Sequence, residues 1–278
     1  MISFGILIQC KMLISVVLNI MNEERNISDL LDSLVVQEMP IEIIVVDAGS
    51  KDRTREIVKA YAQRYQFVKM YVKPGTRGES TNYGISKATG NIIAFTGGDC
   101  IVNPFWAKEL RKTIAEGADI VAGRTINLGP EAWEDLERVE LYHKGFDVSY
   151  PSCNMAFRRE VLEKVGGFDP WFITAEDIDL NYRAVEAGFS IKYNPNAIVY
   201  HRTKGTIYKF FKQAFWNGVG RKQLTLKHGK LWSSYDPIKM FKQKVNTWSL
   251  LRLTCALLGY VGFKLFGDRG PYVKRQNN

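Results

Sequence analysis

The sequence predicts an α/β fold built on a mostly parallel central sheet, and three observations support that prediction. Short apolar runs rich in β-branched residues alternate with helical patterns over the first half of the chain. Runs such as LISVVLNI and EIIVVD are continuously apolar, which is typical of strands buried on both faces. The composition, with 46% hydrophobic and 24% charged residues, is that of a globular protein and excludes a disordered, collagenous or disulfide-scaffold chain.

The alternation assigns the elements in chain order. The predicted strands of the first half are Leu13–Ile20, Glu42–Asp47, Phe67–Val72, Asn91–Thr96 and Asp119–Ala122. The predicted helices between them are Asn26–Val36, Thr54–Tyr65, Glu79–Ala88 and Pro104–Ala115, the last opened by its proline. Residues 124–150 are polar and are expected to cover a site. Beyond them we expect strands Asn154–Arg158 and Ala197–His201 and helices Arg159–Val165 and Glu176–Gly188.

The net charge of +9 is unevenly divided along the chain. Residues 1–200 carry 22 Lys and Arg against 27 Asp and Glu, whereas residues 201–278 carry 16 against 2. The basic tail predicts a negatively charged partner, for which phosphates, anionic lipid and nucleic acid are candidates. We therefore expect a catalytic domain over residues 1–203 and a basic, aromatic helical extension over residues 204–278.

Several familiar kinds of site have no signature in the sequence. The four cysteines, at positions 10, 100, 153 and 255, form no CxxC pair and no Cys/His cluster, which argues against a zinc site and favours a reducing cytosol. No GxGxxG or GxxxxGK[ST] loop follows a strand, which disfavours a dinucleotide-binding domain and a P-loop enzyme. A nucleotide must therefore be held in another way.

Two aspartates lie at predicted strand ends, where parallel α/β sheets bind their ligands. Asp47, in VVDAGSKDRT, is placed to accept hydrogen bonds from a ribose or a base edge. The alternative is that Asp47 only shapes the turn, and Asp52 is interpreted as a helix cap. Asp99, in IIAFTGGDCIVNPFW, follows Gly97 and Gly98, which allow close approach of a bulky ligand. A carboxylate there suits a hard divalent cation that bridges to a diphosphate, the alternative being a plain turn aspartate.

Two further motifs carry titratable groups. Glu176 and Asp177 begin a predicted helix in TAEDIDLNYRAVEAGF, where the helix dipole stabilises acids and a structural role is one interpretation. The other interpretation is a general base that takes the proton of an attacking hydroxyl. His201 ends the strand NAIVYHR and is either structural or a metal ligand beside Asp99.

Five segments, in this order, resemble family 2 glycosyltransferases with the GT-A fold: VVDAGSKDRT, RGESTNYGISKATGNIIAFTGGDC, NMAFRREVLEKVGGFD, AEDIDLNYRAVEAG and VYH. The resemblance covers about residues 13–202. It implies an inverting enzyme that moves one sugar from a nucleoside-diphosphate sugar to an acceptor hydroxyl, with Mn²⁺ or Mg²⁺ as cofactor. It further implies a UDP-sugar as first donor, a GDP-sugar as alternative, and a glycan or lipid-linked acceptor.

The resemblance also gives the candidate residues their roles. It implies that the nucleotide sugar binds against Ile20, Asn22, Glu23, Asp47, Arg77, Gly98 and Asp99. It implies that Asp99 and His201 bind the metal. It also implies that Asp177 is the catalytic base and that Glu176 lies beside it, near the acceptor. In the implied mechanism Asp177 deprotonates the acceptor hydroxyl for a single in-line displacement, while the cation neutralises the departing diphosphate.

The chain departs from the family pattern where Asp-x-Asp is usual, because it has Gly97-Gly98-Asp99. The lost carboxylate leaves a catalytically degenerate nucleotide-sugar-binding protein as the alternative.

No QxxRW, the signature of processive polysaccharide synthases, follows the base, which predicts single additions. We expect no nucleic-acid partner, because the excess positive charge is confined to the tail and no such motif occurs. A sugar nucleotidyltransferase would need a Gly-rich, Arg-containing loop after the first strand, which is absent.

Two stretches of the tail have helical patterns. Thr206–Leu226 is basic and aromatic with an apolar face, typical of a helix in a membrane interface or of one packed on the catalytic domain. Trp248–Phe266 is more apolar, but Arg252 and Lys264 leave only about 16 Å of uncharged helix against a bilayer core of about 30 Å. This stretch could span the membrane, lie in the membrane interface or be buried against the catalytic domain, and the sequence leaves all three alternatives open. We expect a cytoplasmic protein, peripheral on the cytoplasmic face of the membrane.

Overall fold

A computed structural model describes residues 12–129, 139–203, 206–229, 231 and 247–268 of the chain. The strands in these ranges are β1 (Ile14–Ile20), β2 (Ile41–Asp47), β3 (Val68–Val72), β4 (Ile92–Thr96), β5 (Cys100–Val102), β6 (Ile120–Leu128), β7 (Tyr142–His143), β8 (Phe146–Asp147), β9 (Asn154–Arg158) and β10 (Ile191–Arg202). The helices are α1 (Ile27–Val35), α2 (Thr54–Arg64), α3 (Arg77–Lys87), α4 (Trp106–Ala115), α5 (Arg159–Val165), α6 (Glu176–Glu186), α7 (Ile207–His228) and α8 (Thr247–Phe266).

Eight of these strands form one sheet in the order β3-β2-β1-β4-β9-β6-β10-β5. The β1–β2, β2–β3, β1–β4 and β6–β10 pairs are parallel. β9 is antiparallel to both β4 and β6, and β5 is antiparallel to β10. Parallel neighbours need long crossover connections, which is why the buried runs of the sequence alternate with helices. The predicted α/β fold with a mostly parallel sheet is confirmed.

The apolar core lies on both faces of this sheet. On one face the β1 and β2 side chains pack against leucines of α1 and against Trp106 and Leu110 of α4. On the other face Phe95 and Phe157 pack with Leu180 of α6. Because helices cover both faces, the central strands are apolar at nearly every position rather than at alternate ones.

The structure extends two predicted strands and adds three short ones. β6 continues past Ala122 to Leu128, and β10 begins at Ile191 rather than Ala197, because the two strands pair along their length. β5 and the β7–β8 hairpin were not predicted, since strands of two or three residues leave no periodic pattern. Of the polar segment expected to cover a site, residues 130–138 lie outside the described residues.

The second half of helix α7 packs against residues 171–179. Gln223, which is 1% exposed, accepts the Ile173 N–H and donates to the Trp171 carbonyl. The Lys227 ammonium lies 2.8 Å from Asp179 of α6, and Leu224 is fully buried. This half of α7 therefore fits the interpretation of a helix packed on the domain.

The helix α8 lies against α7. A Cβ added at Gly218 would lie 1.8 Å from the Ala256 carbonyl oxygen, and one at Gly259 would lie 1.9 Å from that of Phe215, so the two backbones are nearly in contact. Within the described chain only Gly259 and Phe263 of α8 are buried. By length and composition this 20-residue helix is apolar enough to cross a membrane.

Candidate active site

The carboxyl ends of β1, β2 and β4 bring several predicted residues to one edge of the sheet. Ile20 and Asp47 are register partners at the ends of β1 and β2. A Cβ added at Gly98, in the turn after β4, would lie 2.7 Å from Glu23 Cγ and 3.3 Å from Ile20 Cγ2. Gly98 is therefore needed for the close approach of this turn to the loop that follows β1.

Asp47 is fully buried at the end of β2. Its Oδ1 accepts the N–H groups of Gly49 and Ser50, each at 3.0 Å, and the Arg55 Nε–H at 2.8 Å. Burial alone would raise the pKa of Asp47, but the hydrogen bonds from Ser50, Gly49 and Arg55 outweigh it and lower the pKa. Its Oδ2 is buried without a hydrogen-bond partner in the described part of the chain. An ionised carboxylate with an unused acceptor fits a ligand N–H or O–H.

Asn22 and Glu23 hold together the two loops beside Asp47. Asn22, which has a left-handed φ of 57°, accepts the Lys51 N–H on Oδ1, and its own N–H donates to the Ser50 hydroxyl. The Glu23 N–H donates to the Thr54 hydroxyl. Asp52 was predicted to cap α2, but the N-cap residue is Arg53; Asp52, one residue earlier, accepts the Thr54 N–H.

A second cluster lies where β5 pairs with β10. His201 is the register partner of Cys100, and this pairing brings the His201 ring beside Asp99. His201 Nε2 lies 3.6 Å from Asp99 Oδ2, and Cys100 Sγ lies 3.9 Å from Asp99 Oδ1. The three candidate ligand atoms all lie within 4.8 Å of one another. The Asn127 Oδ1 is 3.3 Å from His201 Nδ1. An oxygen at one ring nitrogen commonly orients an imidazole whose other nitrogen binds a metal.

These separations fit a divalent cation. Ligand atoms about 2.0–2.3 Å from a tetrahedral ion lie about 3.5 Å apart, close to the separations seen here. A carboxylate, an imidazole and a thiol are all ligands of divalent metals, and three protein ligands leave a position for a substrate oxygen. A Cβ at Gly97 would lie 2.9 Å from Asp99 Oδ1 and 3.3 Å from Cys100 Sγ, so these two groups already crowd the position where the family usually has its first aspartate.

The third group of residues lies at the start of α6. Glu176 is 2% exposed, and its Oε1 lies 3.1 Å from Arg77 Nη1 at the start of α3. Burial and the neighbouring charge of Asp177 raise the pKa of Glu176 against the opposing effect of Arg77. Asp177 accepts the Ser152 N–H on Oδ2 at 3.0 Å and the Ile178 N–H on Oδ1 at 2.8 Å. These bonds fix the orientation of the Asp177 carboxylate.

The charge of Arg77 interacts both with Asp99 of the second cluster and with the acids at the start of α6. The carboxylate of Glu176 most strongly, and those of Asp177 and Asp99 in addition, raise the pKa of Arg77. The position of Arg77 is set locally, because Thr76 and Glu79 form a reciprocal capping box that begins α3 immediately before it. The Asn19 side chain also donates to the Arg77 carbonyl at 2.9 Å. Arg77 is therefore paired with Glu176 and lies within range of the charges of Asp177 and Asp99.

The structure groups Ile20, Glu23, Asp47 and Gly98 in one place, Asp99 with His201 in a second, and Arg77 with Glu176 in a third. It adds two neighbours, Arg55 and Cys100, that the sequence analysis missed. Arg55 was missed because its contact with Asp47 depends on the turn between β2 and α2. Cys100 was missed because the cysteines were judged by their spacing, whereas the β5–β10 pairing brings Cys100 to His201 from a distant part of the chain. Its position directly after Asp99 was the one signal available.

Known protein families and curated relatives match this chain. Residues 15–166 match the family described as glycosyl transferase family 2, and residues 143–265 match glycosyl transferase family group 2. The chain is 29% identical over 224 residues to the glycosyltransferase AglE of Haloferax volcanii, an alignment that covers 76% of this chain and 73% of AglE. Alignments to three further named relatives cover only 46–57% of their lengths.

Two solved structures are similar in fold. The mannosyltransferase PcManGT from Pyrobaculum calidifontis, in complex with GDP-Man and Mn²⁺, superposes with a TM-score of 0.63 at 18% identity, covering 92% of this chain and 76% of that one. TarS 1–349 of S. aureus, in complex with UDP-GlcNAc, superposes with a TM-score of 0.61 at 19% identity, covering 88% and 80%. At such identities the likeness concerns the fold, which is the one predicted.

Proposed function

This chain belongs to glycosyl transferase family 2 and is therefore a transferase, and we propose that it moves one sugar from a nucleoside-diphosphate sugar to an acceptor hydroxyl with inversion. The observation that supports the proposal is that the turn carrying Asp99 lies beside the ends of β1 and β2, since Ile20 pairs with Asp47 and also borders Gly98. UDP-sugars are the first donors to test and GDP-sugars the second, since similar folds are known in complex with UDP-GlcNAc and with GDP-Man.

In this proposal the nucleoside lies along the ends of β1 and β2. The unused Oδ2 of Asp47 accepts a hydrogen bond from the base or ribose, and Ile20, Asn22 and Glu23 form the adjoining wall. Gly98 lets the turn after β4 pack against Ile20 and Glu23 of this wall, which would hold Asp99 next to the diphosphate. Arg77, whose side chain is 67% exposed, reaches the donor from the start of α3.

Asp99 and His201 would hold the divalent cation. When bound, Mn²⁺ or Mg²⁺ supplies positive charge for the diphosphate as it leaves. The chain's own contribution is the orientation of these ligands, which comes from the β5–β10 pairing and from Asn127. Arg77 adds a fixed positive charge between Asp99 and the acids of α6.

The proton is handled at α6. Asp177 takes the proton of the acceptor hydroxyl, whose oxygen then bonds to the anomeric carbon while the bond from that carbon to the diphosphate breaks. The N–H groups of Ser152 and Ile178 hold the Asp177 carboxylate in place for this step. Glu176, beside the base and near the acceptor, positions Arg77 through their ion pair. A base held in this way contributes about 10²–10⁴ in rate.

We propose that the acceptor is lipid-linked or a growing glycan and that residues 204–278 contact the cytoplasmic face of the membrane. α8 exposes Leu257, Leu258, Val261 and Leu265 on one face. The Thr174 hydroxyl, two residues before Glu176, donates to the Trp216 carbonyl of α7. The helix pair thus lies beside the catalytic acids, where it would present a membrane-held acceptor to Asp177.

The contacts between α7 and α8 favour an in-plane helix over a spanning one. Trp248 meets Phe210 and Phe211 near the start of α7, and the Lys222 ammonium lies 5.2 Å from the centre of the Tyr260 ring further along. α7 also carries other basic side chains, including Lys209, Lys212, Arg221 and Lys227. If α8 spanned the bilayer, it would draw these charges into the hydrocarbon, at a cost of several kcal/mol.

Nucleotide binding and turnover together test the proposal. We expect one of UDP, GDP, CDP and dTDP to raise the melting temperature by a few degrees, with Mn²⁺ present, when supplied at about 100 times its Kd. Asp177→Asn should retain that shift and lose transfer from the matching nucleotide sugar. The absence of any shift would contradict the proposal. Binding without turnover in the wild type would favour the second candidate, a non-catalytic nucleotide-sugar-binding protein, which the glycine at position 97 supports.

A further inference from the structure

We propose that Cys100 is a third protein ligand of the cation, so that the centre prefers a thiophilic divalent metal such as Zn²⁺ or Co²⁺ to Mg²⁺. The inference rests on the proposed function only in placing the donor diphosphate at the same cation. It extends that function by naming a ligand and a class of metal that neither the resemblance nor the sequence pattern assigned.

The position of the thiol is the first argument. Cys100 begins β5 and lies opposite His201 in the β5–β10 pair, so its Sγ and the His201 ring converge on Asp99. Cys100 Sγ lies 3.9 Å from Asp99 Oδ1, and His201 Nε2 lies 3.6 Å from Asp99 Oδ2. One ligand atom from each of the three residues lies within 4.8 Å of the other two, against about 3.5 Å between ligands of one tetrahedral ion. A small inward movement of the three side chains would complete such a site.

The charge of the site is the second argument. With Gly97 in place of the usual first aspartate, Asp99 alone supplies a carboxylate to the described cluster. On binding a divalent cation, Cys100 would lose its thiol proton to solvent and become a thiolate. The two negative ligands, one oxygen and one sulfur, then balance the charge of the cation. A Cβ at Gly97 would lie 3.3 Å from Cys100 Sγ, so the thiol borders the place where the missing side chain would begin.

The preference for metal follows from ligand chemistry. Thiolate and imidazole suit Zn²⁺ and Co²⁺, whereas Mg²⁺ prefers six oxygen ligands in near-ideal octahedral geometry. Three protein ligands of mixed type leave one position for a diphosphate oxygen. We therefore expect Zn²⁺ and Co²⁺ to bind most tightly, Mn²⁺ more weakly and Mg²⁺ weakest.

Titration of the full-length protein with Co²⁺ tests the thiolate directly. We expect the wild type to develop the near-ultraviolet absorption of sulfur-to-cobalt charge transfer, which equimolar Zn²⁺ removes and a large excess of Mg²⁺ does not. Cys100→Ser should lose this absorption and bind Co²⁺ at least about 100-fold more weakly, since even groups that only orient a ligand cost up to that factor. Cys153→Ser, which alters a thiol packed nearby, and Cys255→Ser, on α8, should keep it.

Three results would overturn the inference: Co²⁺ that does not bind the wild type, Co²⁺ that binds without the absorption, and an absorption that survives in Cys100→Ser. A wild type without the absorption overturns the inference by itself, and Cys100→Ala replaces Cys100→Ser if that variant fails to fold. The nucleotide melting shift, measured on the same preparations, separates the two proposals. If nucleotide binds but the cobalt–sulfur absorption is missing, only the proposal that Cys100 is a ligand is rejected. If the absorption appears but no nucleotide binds, only the proposed function is rejected.

Discussion

Arg77 Nη1 lies 3.1 Å from Glu176 Oε1, and this ion pair joins the start of α3 to the start of α6. Its two members differ in environment, since the Glu176 side chain is 3% exposed and the Arg77 side chain 67% exposed. A buried carboxylate with one exposed partner depends on that partner to stay ionised. The pair therefore couples the donor side of the site to the acceptor side.

Removing Arg77 should destabilise the protein through Glu176. In Arg77→Ala the buried carboxylate loses its partner, and we expect a loss of about 1–2 kcal/mol in the free energy of unfolding, less than for a fully buried pair because solvent screens Arg77. Glu176→Gln in the same background should recover part of that loss. Urea denaturation of both single variants and the double variant measures the coupling, and strictly additive losses would contradict it.

Asp47 should control nucleotide affinity. In Asp47→Asn an amide oxygen can still accept the N–H groups of Gly49 and Ser50, but the amide NH₂ replaces the free Oδ2 with a donor. We expect nucleoside diphosphate affinity to fall about tenfold or more, which is at least about 1.4 kcal/mol. Asp52→Asn, in the same loop, is the matched control and should retain the affinity in calorimetric titration. Equal losses in the two variants would count against a direct contact from Asp47.

Glu42 should make the free energy of unfolding depend on pH in the acid range. It is 5% exposed in β2; burial alone would raise its pKa, but hydrogen bonds from Ser15, Thr89 and Lys69 lower the pKa from 4.5 to about 2. Because the folded pKa is the lower one, the stabilisation is complete above pH 4.5 and is lost as the pH falls towards 2. Glu42→Gln should therefore lower the free energy of unfolding by about 3 kcal/mol at pH 7 and flatten its decline below pH 4.5. Parallel curves for wild type and variant would refute this.

The exposed face of α8 should bind membranes. We expect the full-length protein to float with vesicles that contain anionic lipid, and Leu257→Glu to reduce the floating fraction severalfold. Val72→Glu provides the matched control, because both side chains are 50% exposed and Val72 lies at the end of β3 in the catalytic part. High salt should weaken the association by screening the basic side chains of α7. A Leu257→Glu protein that floats like Val72→Glu would argue against α8 as the contact.

The strands of the parallel half could be predicted because their signal is local. The apolar runs that became β1, β2 and β4 are buried on both faces, so each is recognisable without knowledge of its neighbours. The length of β10 could not be predicted in this way. In its first half only Ile191 and Asn194 are buried, each followed by two exposed residues, so the period-2 pattern of a strand is absent. Pairing with β6 holds this half in place, and a register shift between Asn194 and Ile198 interrupts the pairing.

The sequence by itself determined the alternation of elements, the family and most of the candidate side chains, because each depends on residues that are adjacent or regularly spaced. The tertiary structure alone decided that Cys100 joins Asp99 and His201, since an antiparallel strand pair brings together distant residues. It also decided that Arg77 meets Glu176 and that one oxygen of Asp47 has no partner among the described residues. Such contacts depend on how the strands and helices are packed together, and no pattern along the chain records that packing.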